Sequence, residues 1–244
     1  TSVFDKKMSL YKDANITFVG CSRWLSGRAK KSYLLRGKAV LSIPNPIDTK
    51  VYHPMDQGMA RELLGLPSGK RLLLFGALNV TDKRKGIDYL IEALRRMEKQ
   101  DVELVVFGQV KDDIRGLFPV PIHSMGYLSD ESKIVALYNA VDMFITSSLE
   151  ENLPNTIMES MACGTPCVGF EIGGIPEMID HRVNGYVANY KDAGDLANGI
   201  QWVLEHEDRL ALSDACVKKV QENYTEEVVA KQYTALYEKL LKGE

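Results

Sequence analysis

The sequence predicts an α/β fold built on an open, doubly wound parallel sheet. Short, continuously apolar segments alternate with longer segments in which apolar residues recur at helical spacing, and this alternation runs through most of the 244 residues. Parallel neighbours need a crossover between them, so alternating strands and helices favour parallel pairing. Continuously apolar strands indicate that helices cover both faces of the sheet. In such a fold the ligand site is expected at the carboxyl ends of the strands.

The apolar segments place the elements in chain order. Strands are predicted at residues 16–19, 71–76, 102–108, 122–125, 143–146 and 166–170. Helices are predicted at residues 24–36, 87–99, 130–140, 155–163 and 225–241. Beyond Tyr190 the chain is predicted to contain helices only.

Proline marks a connector near the start of the chain. Pro44 and Pro46 fix their own backbone and keep their predecessors out of the helical region, so this stretch is predicted to be extended. Residues 1–43 hold too little predicted structure for a core of their own. We therefore expect an N-terminal part at 1–43, a connector at 44–54, a self-sufficient domain at 55–222 and a final helical segment at 223–244.

Composition excludes several classes of protein. The chain is 45% hydrophobic and 26% charged with a formal net charge of −3, which does not suggest a nucleic-acid-binding protein. No apolar segment is long enough to span a bilayer, and residues 1–7 lack the order of a signal peptide. Cys163 and Cys167 have no second pair or nearby histidine to complete a zinc site, so four reduced thiols in a cytoplasmic protein are expected.

Three successive cations follow the strand predicted at 71–76. Lys83, Arg84 and Lys85 stand just before a predicted helix, and a helix N-terminus attracts anions through its free amides and its dipole. A diphosphate is the natural ligand for such a loop. The alternative is a solvated basic loop with no ligand.

Two carboxylates follow the strand predicted at 143–146. Glu151 lies in the loop after the strand, and Glu159 lies eight positions later, about one turn inside the next helix. The first carboxylate is placed to accept sugar hydroxyls and the second to accept two vicinal ribose hydroxyls. Such a pair alone is more often a pair of surface charges, but the small-residue stretch that follows makes the pattern more specific.

The segment from Glu151 to Val168 resembles glycosyltransferase family 4, whose signature is a Glu, seven residues, a second Glu and a small-residue turn into a strand. Residues 43–48 and 51–54 resemble the hinge of that family, residues 85–93 its phosphate loop and helix, and 173–177 and 184–185 its later loops. The resemblance covers about residues 14–240. It implies a retaining enzyme of GT-B fold, in which two Rossmann-like domains enclose the active site.

The resemblance assigns roles to individual positions. Glu151 would be the catalytic-site carboxylate that holds the donor sugar, and Glu159 would hold the ribose. The donor-binding residues that it implies are Lys83, Arg84, Lys85, Gly108, Tyr127, Glu151, Asn155, Thr156 and Glu159. Among these, Lys85 would be the phosphate cation, the amides at 155 and 156 would face the diphosphate, and positions 108 and 125–127 would border the base. No metal and no cofactor is implied.

Two departures from the family pattern affect the phosphate and sugar contacts. The family usually has Arg where Ala77 stands here, so Lys83 or Arg84 would supply that charge from a slightly longer loop. Many members have Gly where Pro154 stands, and proline offers no amide to the sugar.

The implied function is transfer of a sugar from a UDP- or GDP-sugar to a glycan or lipid-linked glycan, in surface or capsular polysaccharide biosynthesis. Residues 1–43 would be the end of the acceptor domain, and the last helix would cross back to it. The family's acceptor site and usual catalytic histidine region would lie outside this chain. The alternatives are a nucleotide-sugar epimerase on the same architecture and a non-catalytic nucleotide-sugar-binding module.

Other conspicuous residues have simpler interpretations. The four histidines are scattered and are expected to be non-catalytic, and Trp24 is expected to pack rather than to carry a sugar. Residues 14–47 contain no Asp or Glu but six cations. That segment is either a solvated helix at a domain seam or a surface that attracts an anionic acceptor or the inner face of the cell membrane.

Overall fold

The computed structural model describes residues 2–79, 82–97, 101–109 and 115–243, without the side chains of Leu78 and Arg115. Its main sheet has six parallel strands in the order β5-β4-β3-β6-β7-β8. The strands are β3 (Arg71–Asn79), β4 (Val102–Gln109), β5 (Ile122–Gly126), β6 (Met143–Thr146), β7 (Cys167–Phe170) and β8 (Gly185–Ala188). The helix α3 (Gln57–Leu64) precedes the first of these strands. The helices that connect or follow the strands are α4 (Ile87–Arg96), α5 (Glu131–Ala140), α6 (Asn155–Ala162), α7 (Ile175–Met178), α8 (Ala193–Leu204), α9 (Arg209–Asn223) and α10 (Glu226–Leu241).

The strand order reverses between β3 and β6. The chain winds outward from β3 through β4 to β5, and then returns to pair β6 with β3 before it continues to β7 and β8. The crevice at the carboxyl ends of the two strands beside such a reversal is the usual ligand site of an open α/β sheet. Here the loops after β3 and β6 therefore meet.

The continuous apolar sequence of β3 feeds two separate cores. Leu72 and Leu74 belong to the hydrophobic cluster on one face of the sheet, together with residues of α3, α5, α6 and α9. Leu73 and Phe75 belong to the cluster on the other face, with residues of α4 and α8. Successive side chains of a strand point to opposite faces, so both alternate sets are buried. This confirms the prediction that helices cover both faces of the sheet.

The opposite, amino-terminal end of the sheet is held by a buried carboxylate. Asp142, directly before β6, accepts hydrogen bonds from the Arg61 guanidinium at 3.1 Å and from the Leu72 amide at 2.7 Å, and it also pairs with Arg71 and Arg209. A buried charge is tolerated when it is paired and hydrogen-bonded, as here. The cluster fixes β3 and β6 side by side at the end away from the ligand crevice.

The N-terminal part contains more structure than predicted. It comprises α1 (Val3–Lys12), β1 (Thr17–Gly20), α2 (Arg23–Lys31) and β2 (Ala39–Ser42), and β1 and β2 pair in parallel as a separate sheet. The prediction of a single helix at 24–36 was wrong, since α2 ends at Lys31 and a 3-10 turn follows at Tyr33–Leu35. The strand β2 escaped prediction because it has four residues and only Val40 of them is buried.

Two chain segments join the two sheets. The connector contacts the end of the chain, where the Ile47 amide donates to the Tyr224 carbonyl at 2.8 Å. The helix α10 then packs Val229 and Leu236 against Ile43 in a third, small hydrophobic cluster.

Three further elements were missed in the main domain. The strand β8 begins with Gly185 and has four residues, the helix α7 also has only four residues, and α3 lies in a stretch for which no element was predicted. The helical character beyond Tyr190 is confirmed by α8, α9 and α10. The predicted extension of the helix at 87–99 falls partly on residues outside the described ranges. Within those ranges, the structure contains no helix with the length and apolarity needed to cross a membrane.

Candidate functional site

The loops after β3 and β6 interlock at the reversal of strand order. The Leu149 amide donates to the Arg84 carbonyl at 2.7 Å, and the Ser147 hydroxyl donates to the Gly86 carbonyl at 2.8 Å. Gly86 has φ +64°, and a Cβ there would lie 2.0 Å from the Ser147 carbonyl oxygen. Only glycine fits this position, because it tolerates both the left-handed conformation and the close approach. The cationic turn before α4 is thereby fixed against the loop that follows β6.

Lys85 and Glu151 form an ion pair across these two loops. The Lys85 Nζ lies 2.6 Å from Glu151 Oε1, and the side chains are 33% and 15% exposed. The residues are 66 positions apart in sequence, so the pairing depends on the strand order. The structure thus brings together the cation predicted for phosphate and the carboxylate predicted for sugar.

The other two cations of the turn face solvent more freely. The Arg84 guanidinium pairs with Asp82 at 2.7 Å and remains 68% exposed. The hydrogen bonds from Arg84 lower the pKa of the Asp82 carboxyl to about 2. Lys83 has no ion pair with any residue that the structure describes. Arg84 therefore makes a local contact, whereas Lys85 reaches across the crevice.

Two glycines in the turn after β7 pack closely against the main chain of the Glu151 loop. A Cβ on Gly173 would lie 1.9 Å from the Glu151 carbonyl oxygen, and the Gly174 amide donates to the Asn152 carbonyl at 2.5 Å. The side-chain oxygen of Asn152 accepts a hydrogen bond from the Ser22 hydroxyl at 2.6 Å. The main chain at Glu151 is therefore held on one side by the turn after β7 and on the other by the N-terminal part.

The helix α6 begins beside this loop with its first amides uncapped. Pro154 occupies the N-cap position, where no side chain caps the helix, and the Ile157 amide bonds back to the Pro154 carbonyl at 3.1 Å. Within the described part of the chain, the amides of Asn155 and Thr156 have no hydrogen-bond acceptor. Uncapped amides at a helix N-terminus form an anion-binding site.

Glu159 lies one turn further into α6, against α5. Its Oε2 accepts a hydrogen bond from the Tyr138 hydroxyl at 2.8 Å. Burial raises the pKa of the Glu159 carboxyl, the Tyr138 hydrogen bond opposes that shift, and the charge of Glu131 adds to it. Burial, with Glu159 and Glu131 nearby, also raises the pKa of the Tyr52 hydroxyl. A half-buried carboxylate with no ion-pair partner in the described residues is a candidate for a binding role.

The residues predicted to border the base lie at the ends of β4 and β5. Gly108 has φ +121° and is buried near the end of β4. Tyr127 follows β5 directly and is 62% exposed. The order β5, β4, β3, β6 places these positions in line with Lys85 and Glu151 along one edge of the sheet.

Sequence reasoning missed three contacts at the site. Tyr138 is an ordinary core aromatic in the sequence, and nothing there links it to Glu159, 21 positions away. Asn152 was noted only as part of the loop. Glu177 caps α2, since its carboxylate accepts from the amides of Arg23 and Trp24 at 2.9 and 2.7 Å.

One of the four histidines has a carboxylate partner. His123, on β5, contacts Glu103 with 2.6 Å between Nε2 and Oε2, although the sequence had suggested no carboxylate partner. It is opposite Val105 in the sheet register, before the carboxyl end of β4. No group of three or more His, Cys, Asp or Glu side chains suited to a metal ion occurs in the described part of the chain. All four cysteines are thiols.

The chain is similar to known transferases in sequence and structure. The N-acetyl-alpha-D-glucosaminyl L-malate synthase of Bacillus anthracis is 24% identical over 213 residues, covering 85% of this chain and 55% of that protein. A second relative, from Campylobacter jejuni, is the N,N'-diacetylbacillosaminyl-diphospho-undecaprenol alpha-1,3-N-acetylgalactosaminyltransferase. It is 33% identical over 118 residues, which cover 48% of this chain and 31% of that protein. Anabaena HepE in complex with UDP-glucose superposes with a TM-score of 0.76 at 19% identity, covering 97% and 68%.

These comparisons settle the fold and the family. The likeness to HepE confirms the predicted Rossmann-like sheet as one half of a GT-B architecture. The chain spans about half the length of the Bacillus relative and less of the Campylobacter one. The family model described as "Glycosyl transferases group 1" matches residues 69–206, more than half of the chain, and the chain therefore belongs to that family.

Proposed function

We propose that this chain supplies the donor-binding half of a retaining glycosyltransferase that moves a sugar from a UDP- or GDP-sugar to a glycan or lipid-linked glycan acceptor. One observation carries the proposal. A cation, two carboxylates and an uncapped helix N-terminus, contributed by Lys85, Glu151, Glu159 and the start of α6, meet at the reversal of strand order.

Each group around the crevice is assigned to one part of a nucleotide sugar. Gly108 and Tyr127 border the base, and Glu159 takes the ribose hydroxyls. Lys85, with Lys83, and the first amides of α6 take the diphosphate. Glu151 takes hydroxyls of the sugar. Its side chain is 15% exposed, and the ion pair with Lys85 already holds the carboxylate in one orientation.

The same groups favour departure of the nucleoside diphosphate. As the bond to the sugar breaks, negative charge grows on the phosphate oxygens, and fixed amides and a cation stabilise that charge without having to reorganise. In the resembling family the donor's own phosphate assists deprotonation of the acceptor, with retention of configuration and without a metal. We assign the same course to this protein, with Arg84 as an outer charge beside the diphosphate.

The comparisons support a proposal for the base of the donor and for the class of acceptor. HepE binds UDP-glucose, which supports a UDP-sugar as the donor of this chain. The Campylobacter relative acts on a diphospho-undecaprenol-linked sugar, which supports a lipid-linked acceptor, whereas the name of the Bacillus relative contains L-malate. The basic N-terminal part, with Arg28 and Lys31 on α2, supports a cytoplasmic protein that works at the anionic inner face of the cell membrane.

We infer the domain division from the two separate sheets. Residues 1–43, which carry β1 and β2, would be the end of an acceptor domain, 44–54 the connector, 55–222 the donor domain, and 223–244 the helix that crosses back. The hydrogen bond between Ile47 and Tyr224 and the packing of α10 on Ile43 support this division.

A binding panel tests the proposed function. Calorimetry with UDP-, GDP- and ADP-sugars should give binding of this chain to at least one of the first two. Product analysis with that donor should show almost no transfer by this chain, and transfer of the sugar to an acceptor once a complete acceptor domain precedes residue 44. A donor returned with its sugar inverted at one carbon would identify an epimerase instead. Binding to none of the three donors would contradict the proposal.

A further inference from the structure

Tyr138 is a buried aromatic residue with a specific polar contact. It lies on α5 with its ring packed edge-on against Phe107 and Phe144, at centroid distances of 6.2 and 6.0 Å. Its hydroxyl donates to Glu159 Oε2 at 2.8 Å. A buried phenol must satisfy its hydroxyl, and here it does so on Glu159, the one carboxylate of the neighbouring helix α6.

The contact leaves half of the carboxylate free. Glu159 Oε1 has no hydrogen-bond donor among the residues that the structure describes. The titratable groups near Glu159 are Tyr138 and Glu131 on α5, Tyr52 in the connector and Cys163 just after α6. None of these groups is a cation. The Tyr138 hydroxyl is therefore the described group that both fixes the Glu159 side chain and favours its ionised form.

We propose that Tyr138 is a positioning residue for nucleotide recognition and that it sets the preference for a ribonucleotide over a deoxyribonucleotide. The inference rests on the proposed assignment of Glu159 to the ribose. By holding Oε2, Tyr138 directs Oε1 to the pair of vicinal hydroxyls, which only an ionised carboxylate in a fixed rotamer accepts together. Tyr138 itself does not touch the nucleotide.

The substitution Tyr138→Phe removes the hydroxyl and keeps the ring. Loss of the hydrogen bond removes the one influence that lowers the pKa of Glu159, so its carboxyl takes up a proton at a higher pH than before. The carboxylate is also free to change rotamer. Affinity for UDP should fall about 5- to 10-fold. This is less than the loss of one direct hydrogen bond to a charged group, because Tyr138 acts on the nucleotide only through Glu159.

The matched control is Tyr186→Phe. Tyr186 is also buried and also donates to a carboxylate, Asp195, at 2.8 Å, but it lies on β8 away from the crevice. Calorimetry with UDP and with 2′-deoxy-UDP compares the two variants. Tyr138→Phe should weaken UDP binding and leave 2′-deoxy-UDP binding almost unchanged, and the pH below which UDP affinity is lost should rise. Tyr186→Phe should change none of these.

Four outcomes would overturn the proposal. An equal loss for UDP and 2′-deoxy-UDP in Tyr138→Phe would show a general effect on the fold. Equal affinity of the unsubstituted chain for the two ligands would show that no ribose preference exists, and this result does not depend on any variant folding. Unchanged UDP affinity in Glu159→Gln would remove the ribose assignment itself, whereas a loss in Glu159→Gln without any loss in Tyr138→Phe would remove only the positioning role.

Discussion

Replacing Lys85 by alanine separates the diphosphate from the rest of the nucleotide. Without a ligand, the Lys85 Nζ is 2.6 Å from Glu151 Oε1 and the Lys85 side chain is 33% exposed. When Lys85 binds a phosphate, the new interaction therefore replaces part of its ion pair with Glu151, and the net gain in free energy is smaller. A hydrogen bond to a charged group is worth about 1.5–3 kcal/mol. Because of the exchange and the partial exposure, we expect the lower end, about 1.5–2 kcal/mol, or a roughly 10- to 30-fold rise in Kd.

The assay is calorimetry of Lys85→Ala with UDP, UMP and uridine. The loss should be largest for UDP and small for uridine, which has no phosphate. Lys70→Ala is the matched control, since Lys70 also pairs with a carboxylate, Asp101, and its side chain is 38% exposed, but it lies just before β3, at the far end of the sheet. Equal losses for UDP and uridine, or a similar loss in Lys70→Ala, would refute the placement of Lys85 at the diphosphate.

Three further predictions concern the same crevice. Glu159→Gln should weaken UDP binding by about 1–3 kcal/mol in calorimetry. Burial raises the pKa of Glu159 in the folded state, so ionisation of this carboxyl opposes folding at neutral pH. Glu159→Gln should therefore also have a higher Tm than the unsubstituted chain at pH 7, and this difference should shrink as the pH falls through the folded-state pKa. A lower Tm at pH 7 would contradict the argument from burial. Gly86→Ala should lower the free energy of unfolding by more than about 2 kcal/mol, because the residue has a φ of +64° and its new Cβ would lie 2.0 Å from the Ser147 carbonyl oxygen. The control Gly37→Ala, with a φ of +77° and open space around the new Cβ, should lose only about 1 kcal/mol. Equal losses in the two variants would mean that the loop at Gly86 adjusts at no cost. Donor binding should survive EDTA, and a strict need for Mn²⁺ or Mg²⁺ would point to another transferase class.

The main sheet was predictable because its central strands are apolar on both sides. The continuous apolar segment at 71–76 predicted a buried strand, and the structure divides Leu72 and Leu73 between two cores. The short strand β2 was not predictable, since only Val40 of its four residues is buried. In β8 three of the four residues are buried, so exposure does not explain why that strand was missed. Glycine at the start of β8 made the segment resemble a loop.

The candidate site was predictable only in its local parts. The cationic turn, the carboxylate after β6 and the carboxylate in α6 were each identified from position relative to a strand or helix. Their mutual contacts were not, because Lys85 and Glu151 meet only through the pairing of β3 with β6. The contact of Tyr138 with Glu159 likewise depends on how α5 packs beside α6, which hydrophobic spacing does not specify.

A crystal structure of the chain with UDP tests the central claim most directly. We expect the diphosphate within hydrogen-bond distance of the Lys85 Nζ and the amides of Asn155 and Thr156, and the ribose hydroxyls on Glu159 Oε1. UDP bound elsewhere on the chain, or bound with its ribose at Glu151 and its phosphates away from α6, would contradict it.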